Sequence, residues 1–481
     1  MLDKDIKKNI EKIKNDYNNS CDLSFKDINI LKRRVSLVYL SSICDNNLID
    51  NFLLKNINKL SKNIKSYKNI ITCFFNTTPS INMKSVNTFD EIYKSLGDGF
   101  VVILFEDYDT SIIVEAKKDL SRGIQQPVIE QAISGPKDSF NEDYMSNIGL
   151  IRKRIKTNNL IVQEKIIGKE TETKVSICYM KNIIETTLLD EVIKKLDNID
   201  IDGIIDSTYI KEYLESKNSV FTLINITERP DVSVMNLLNG KIILIVENSP
   251  FALIIPTFFY ELFNASEDYY QKSKNVTFTR IIRYLSFFLA IILPGFYIAI
   301  TTFNHETIPD TLLINFAMQR EGVPFPAFVE ALGMSLVFEI LRESDIRMPN
   351  LSGSAISILG AIVLGDAAVS AGVVSPIMVI IIAISAICSL MFSGPAMTNG
   401  IRFWRLIFMI ASTIIGLPGI AFCGFLFVIT VSSLKSFGKP YLYPFAPFDL
   451  KLALKTIFKK EQKDNKRRIP YLTNTNIKRS K

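Results

Sequence analysis

Hydrophobic positions recur along this chain on two periods, and the switches between them mark its elements. In Asp3–Asn19, Ile6, Ile10 and Ile13 fall at helical spacing among charged residues, which predicts an amphipathic lead-in helix. Val35–Leu40 (VSLVYL) and Gly99–Phe105 (GFVVILF) are short β-rich runs, and Thr110–Glu115 follows as a hairpin partner across Glu106-Asp107-Tyr108-Asp109. Between them Leu48–Leu60 carries Leu48, Ile49, Phe52 and Leu53 on one side of a helix. A second set starts near Asn159, with strands at Leu160–Ile167 and Thr173–Tyr179 and a helix at Asn182–Leu196. Ile204-Ile205, Val220–Leu223, Lys241–Val246 and Phe251–Ile255 supply further strands, with Asn239-Gly240 as a turn. A helix from about Asp138 to Ile155 bridges the two sets, with Arg152, Lys153 and Arg154 near its end, where cations complement the helix dipole.

Past Lys274 the pattern becomes continuously apolar. Ile281–Thr302 has one basic residue, Arg283, and then an uncharged run containing Pro294 and Gly295, long enough to cross a hydrocarbon core of about 30 Å. Leu351–Ala371 and Val373–Phe392 follow. Phe403–Leu434 is too long for one straight span and is interrupted by Gly416, Pro418 and Gly419, so it tilts, kinks or turns back. The expected fold class is therefore an α/β soluble N-terminal region of two small subdomains joined to an all-α polytopic membrane domain. The expected divisions are a polar lead-in (1–20), a first α/β subdomain (21–135), a linking helix (136–158), a second α/β subdomain (159–275), a membrane domain of four to five spans (276–436) and a basic cytoplasmic tail (437–481).

Charge bears on the topology. Lys272, Lys274, Arg280 and Arg283 precede the first apolar run, and a dense basic tail follows the last, so both flanks point to the cytoplasmic side and an even number of crossings. Pro324–Leu341 is apolar enough to span but carries Glu330 and Glu339, each costing roughly 2 to 3 kcal/mol at mid-membrane. Four spans satisfy both flanks; five bring Arg342 and Arg347 inside as well. The mean hydropathy of +0.20 averages two unlike halves.

Composition excludes much chemistry. Met1–Ser20 has no apolar core of a secretory signal, and the six cysteines form no CxxC pair, so neither disulfides nor zinc are expected. A single histidine, His305, removes every mechanism that needs a His pair, and no Walker loop, GxGxxG or GxSxG occurs. No enzyme active site and no cofactor can be read. The net charge of +7 is concentrated at the apolar flanks and in the tail, a pattern of membrane topology rather than nucleic-acid binding.

Several blocks resemble the A subunit of GerA-family spore germination receptors. They are Gln126–Glu130 followed by Ser134-Gly135-Pro136-Lys137-Asp138-Ser139-Phe140-Asn141-Glu142-Asp143, with Asn147-Ile148 and Leu150–Ile155; Thr227-Glu228-Arg229-Pro230-Asp231 with Leu238-Asn239-Gly240; Glu267-Asp268-Tyr269-Tyr270; and Leu293-Pro294-Gly295 through Glu306 and Pro309. In the apolar half, Pro324-Phe325-Pro326, Glu330, Phe338-Glu339, Leu341-Arg342-Glu343, Arg347-Met348-Pro349 and Gly365 with Ala367-Ala368-Val369 follow in the same order. Asp366 and Ser370 depart from the pattern, which has a neutral amide and often an acid there. The resemblance implies a receptor in the inner membrane of bacterial endospores, acting with a multi-span, nutrient-binding B subunit and a lipoprotein C subunit. It further implies a homo-oligomeric ring around a pore for monovalent cations. A non-conducting scaffold and an accessory paralogue of the stage V sporulation AF type remain open alternatives, whereas no inverted repeat suggests a secondary transporter.

The candidate residues divide into three groups. Gly353, Ser357, Ala361 and Gly365 repeat every four residues and make one helix side smooth, for packing or for lining a pore, and Asp366 lies next to that stripe in an uncharged run. Glu330 and Glu339, nine apart, point at different angles, while Arg342 lies within pairing distance along the helix from Glu339. Gly135, Pro136, Glu142, Arg152, Glu228 and Arg229 are candidates for a joint between the two α/β subdomains.

Overall fold

The computed structural model describes residues 1–50, 55, 67, 70–77, 82–119, 127, 130–216, 219–347, 363–392, 394–473 and 476–479. Two five-stranded antiparallel sheets make up the N-terminal part. The first contains β1 (Leu23–Ile30), β2 (Arg33–Leu40), β3 (Met83–Val86), β4 (Phe100–Phe105) and β5 (Ser111–Glu115) in the order β1-β2-β4-β5-β3. The second contains β6 (Leu160–Ile167), β7 (Thr173–Met180), β8 (Asn225–Thr227), β9 (Ile242–Val246) and β10 (Ala252–Ile255) in the order β6-β7-β9-β10-β8. Both sheets thus have the same topology: a hairpin, a third strand on the far edge, a helix, and a second hairpin that fills the centre. Phe89–Gly97 and Pro230–Leu237 are the matching helices between third and fourth strands.

The apolar runs are continuous because both faces of each sheet are covered. In β2 and β4, Val38, Leu40, Val102 and Leu104 face a core shared with the second sheet, whereas Val35, Leu37, Val101, Ile103 and Phe105 face a core of the first sheet alone. In β9, Ile243 and Ile245 join the shared core, and Ile242, Leu244 and Val246 face outward under the helices Thr186–Asp197 and Ser207–Leu214. The period of two is therefore present but hidden by burial on both sides. Four helices fill the shared core: Ile6–Asp16, Phe89–Gly97, Tyr144–Arg152 and Pro230–Leu237. Each aliphatic side chain buried there contributes about 1.5–3 kcal/mol.

The helix Ser273–Thr302 leaves the second sheet and is the axis of the C-terminal part; the helices Ala327–Arg347, Pro376–Leu390, Pro395–Ile415 and Leu417–Ser433 pack around it. It is the one helix among the described residues long and apolar enough to cross a membrane; Pro376–Leu390 and Leu417–Ser433 are shorter apolar helices. Pro294, lacking an N–H, frees the carbonyl of Ala290 one turn back, and the Ser385 hydroxyl donates to that carbonyl at 2.8 Å. The run Phe403–Leu434 breaks at Gly416, whose φ of +73° suits glycine, and the two helices on either side form an antiparallel hairpin, with Trp404 against Phe427 at 5.1 Å. Asn304, just past the central helix, accepts from the Leu417 N–H at the hairpin tip.

Several expected elements take another form. Asn239-Gly240 is a turn as expected, but one that leads from the end of the helix Pro230–Leu237 into β9, with the Gly240 N–H on the Leu237 carbonyl. Val220–Leu223 is no strand: Phe221 and Leu223 insert among the C-terminal helices, Phe221 stacking edge-on against Phe259 and Phe427, so the helical part covers their apolar surface. Ile204-Ile205 lies in a loop with Ile205 exposed. β1 and β3, at the sheet edges, carry outward polar residues that obscure their period. The bridging helix runs only from Tyr144 to Arg152; residues 134–143 form an irregular strap, held by the Phe140 N–H on the Glu228 carbonyl and by mutual Asn141–Asn147 hydrogen bonds. The tail is a packed segment: Phe437, Tyr443 and Leu472 are buried against the second sheet. The helix expected at Leu48–Leu60 lies mainly outside the described residues.

Candidate functional site: the inter-sheet joint and the helical ion pairs

Arg152, one of the joint candidates, ends its helix pointing inward. It is fully buried and grips both carboxylate oxygens of Asp22 at 2.9 Å through Nε and Nη2, while Nη1 donates to the Leu160 carbonyl at 2.8 Å. The hydroxyls of Ser20 and Ser42 also donate to Asp22 at 2.8 Å. The Cys21 N–H bonds the Val162 carbonyl, so the network stitches the start of β1 to β6 in the other sheet. Burial alone would raise the Asp22 acid, but Arg152 and the two hydroxyls hold it below the ordinary carboxylate range.

A second joint lies where the strap meets the start of the helix Pro230–Leu237. Arg229, buried, pairs with Asp231 through Nε (3.1 Å) and Nη2 (2.9 Å), and donates to the carbonyls of Glu130 (3.2 Å) and Pro136 (2.9 Å). Glu228 accepts the Glu130 N–H at 2.7 Å. The Tyr270 hydroxyl donates to Asp231, and the Tyr270 ring lies over Gly135 so closely that a Cβ there would stand 2.6 Å from ring carbons. Gly135 also has a φ of +118°, outside the range of ordinary side chains. Tyr270 stands just before the central helix, so the joint ties the strap and the end of β8 in the second sheet to the root of that helix. Gly135→Ala is expected to cost about 2–3 kcal/mol through backbone strain and displacement of Tyr270. The check is faster amide exchange at residues 266–272 relative to β9. Glu142 is exposed and lies outside this cluster.

Glu130 gives the joint a pH response. Burial raises its carboxyl to about 7, aided by Glu228 and opposed by the Thr227 hydroxyl and Arg229. Between the ordinary carboxylate value and 7 the folded chain keeps a proton that the unfolded chain has released. The stabilising contribution is therefore full in acid and is lost as pH rises through 7. Glu130→Gln is expected to flatten this slope and to add on the order of 2 kcal/mol of stability at pH 8 with little change at pH 4; denaturation midpoints at the two pH values check it.

At the foot of the central helix, Asp268 accepts from Arg280 (3.1 Å) and Arg283 (2.9 Å), so two of the basic residues flanking the first apolar run are committed to a buried ion pair. In the helical part Glu330 is buried. Its Oε2 accepts from the N–H and hydroxyl of Ser375, both at 2.9 Å, and so caps Pro376–Leu390, while Arg320 lies 3.3 Å from Oε1. Glu339 pairs with Arg342 at 3.7 Å along its own helix, with Arg402 at 2.7 Å and with Arg405 at 3.4 Å. The structure does not bring Glu330 and Glu339 together. Gly353, Ser357 and Ala361 lie outside the described residues. Gly365 and Asp366 sit on a helix over 363–370, where Asp366 is exposed beside the equally exposed Val363 and Leu364. Among the described residues no group of three His, Cys, Asp or Glu side chains could hold a metal ion.

Asp22, Ser375, Arg402 and Arg405 belong to these clusters without having been singled out from the sequence, and Asp231 and Tyr270, quoted within the family blocks, join them without having been named as joint candidates. Arg405, an arginine inside the apolar run Phe403–Leu434, was a readable signal that a partner lies nearby. The family model for the Bacillus/Clostridium GerA spore germination protein matches residues 11–471. The chain belongs to the GerA family. The match takes in both sheets, both joints and every helical ion pair described above. GerA-family relatives include spore germination protein KA of Bacillus subtilis (strain 168), 38% identical over 452 residues covering 93% of this chain and 83% of that one. Spore germination protein XA of Bacillus anthracis is 34% identical, covering 88% of each chain. YfkQ of Bacillus subtilis (strain 168), named an uncharacterized membrane protein, is 35% identical over 77% of this chain and 73% of that one. The crystal structure of the N-terminal domain of the A subunit of the Bacillus megaterium spore germinant receptor GerK3 aligns with 54% of this chain and 97% of that chain, at 25% identity and a TM-score of 0.42.

Proposed function

We propose that this chain is a subunit of a nutrient-germinant receptor of bacterial endospores, seated in the spore inner membrane and oligomerising around a path for monovalent cations that opens to start germination. Membership of the GerA family carries the receptor reading. The membrane reading rests on the apolar surface of the helical part, where Phe288, Leu336, Ile387, Ile414 and Phe425 are each more than half exposed. Helix contacts support an even number of crossings. The central helix leads away from the sheets, Pro376–Leu390 returns from Glu330 to Phe392 against Phe263, and the hairpin at Gly416 goes out and back. Both the sheets and the basic tail then lie on one side, the cytoplasmic or core side by the positive-inside rule.

The joint through Arg229, Asp231 and Tyr270 is the route by which a B subunit that binds the nutrient, or a lipoprotein C subunit, would move the central helix. The channel reading draws on Asp366, exposed on an apolar helix, where a subunit neighbour or a wet path would lower its cost. Particle mass of the purified chain in detergent tests it: a closed oligomer is expected, and a strictly monomeric particle counts against a pore. The scaffold alternative draws on Glu330 and Glu339, which are neutralised within one subunit; under it Asp366→Asn leaves germination unchanged. An accessory role of the stage V sporulation AF type calls for the chain to act without B and C subunits.

A further inference from the structure

A cavity of about 200 Å³ lies between the helix Pro230–Leu237, the foot of the central helix and the C-terminal tail. At roughly 30 Å³ per water it has room for several waters, or for an anion of the size of pyrophosphate. Its wall is cationic and unevenly compensated. Lys241 is neutralised by Glu261 at 2.5 Å, Arg280 by Asp268 at 3.1 Å, and Lys459 donates to the carbonyls of Asp268 and Gln271. The remaining acid on the wall, Glu130, is held by the Thr227 hydroxyl. Four further cations, Lys455, Lys460, Arg467 and Arg479, line the same cavity and form no ion pair among the described residues. Among the described residues Lys455 Nζ donates only to the Arg467 carbonyl, at 3.3 Å. Arg479 donates through Nη2 to Asn239, and its Nε is buried without a hydrogen-bond partner among the described residues.

Unpaired cations converging on one cavity repel one another and carry a desolvation cost, which a multivalent anion reverses. We propose that this cavity binds a phosphate-bearing anion, with Lys455 and Arg479 as its inner ligands and Lys460 and Arg467 at its exposed mouth. Arginine and lysine together supply the forked and point-charge donors that phosphate oxygens accept. Desolvation, with Arg479 and Lys460 nearby, pushes the Lys455 amine down to about 8, the response of a cation that lacks its counter-ion. The bound anion would clamp the tail to the second sheet and to the root of the central helix, independently of whether the helices conduct. Two sources share this chemistry: a free phosphate compound, and a phospholipid headgroup at the membrane surface that the root of the central helix adjoins.

The test uses the full chain in nanodiscs. In phosphatidylcholine discs, titration with inorganic pyrophosphate is expected to show saturable binding that is at least tenfold weaker in Lys455→Gln/Arg479→Gln, and unchanged in Lys153→Gln, an exposed lysine that does not line the cavity. In discs containing phosphatidylglycerol, a headgroup ligand raises the thermal midpoint of the native chain, blocks pyrophosphate, and leaves the double variant unaffected; a free ligand leaves pyrophosphate binding intact. Lys460→Gln and Arg467→Gln, at exposed positions that do not threaten folding, are expected to weaken binding about threefold each, so the site remains testable if the inner variants fail to fold. Equal binding by native and mouth variants, or no saturable binding in either disc, overturns the proposal.

Discussion

Replacing Arg152 by alanine is expected to destabilise the contact between the two sheets by about 3–5 kcal/mol, because it leaves the Asp22 carboxylate buried and uncompensated. The readout is amide exchange at Cys21 and Val162, whose protection is expected to fall by two to three orders of magnitude while β4 retains more of its protection. Asp22→Asn keeps hydrogen bonding but removes the charge, and is expected to fall between the native chain and Arg152→Ala. The pH dependence has a definite sign. Asp22 is held below the ordinary carboxylate range, so its contribution is complete above the unfolded value and is lost only as pH falls through the lower folded value. Asp22→Asn should therefore remove an acid sensitivity. The volume-matched pair Asp22→Leu/Arg152→Met is expected to recover much of the loss, since the penalty comes from one stranded charge rather than from absence of the pair.

Glu339→Ala is expected to lower the stability of the helical part by about 3 kcal/mol, at the low end of the cost of breaking a buried pair because the Glu339 side chain is partly exposed. One carboxylate serves Arg342, Arg402 and Arg405, and Arg405 is buried between helices, so removal leaves a guanidinium among apolar groups with no counter-ion. Trp404 is the chain's one tryptophan and stands between two of these arginines, so its fluorescence reports this cluster directly. A lowered thermal midpoint in detergent and a red-shifted emission are expected for Glu339→Ala, with partial recovery in Glu339→Gln/Arg405→Met. An unchanged midpoint would mean that lipid or detergent, rather than Glu339, accommodates the arginines.

Strands such as VSLVYL, GFVVILF and KIILIV were legible because a segment covered on both faces is apolar throughout and bounded by turn residues. β1 and β3 were not, because edge strands turn polar groups outward and lose the contrast that marks a period. Val220–Leu223 misled for the opposite reason: apolar character reports burial, and Phe221 is buried against helices rather than in a sheet. The matching strand order of the two sheets was not read from the sequence, since topology is set by which strands pair and not by residue identity. The clusters were half legible. Glu228 and Arg229 stood out within one short block, and Glu330 and Glu339 as acids in an apolar helix. Their partners, Asp22 for Arg152, Tyr270 for Asp231, Ser375 for Glu330 and Arg405 for Glu339, are brought near only by the fold. Separations of 39 to 130 residues carry no local signal.

Potassium efflux from liposomes containing the purified chain, alone and together with candidate B- and C-type subunits, tests the receptor-channel account most directly. The account predicts efflux that requires this chain and changes in rate with Asp366→Asn. No efflux in any combination, with nutrient present, would contradict the channel and leave the chain as a non-conducting scaffold of its receptor.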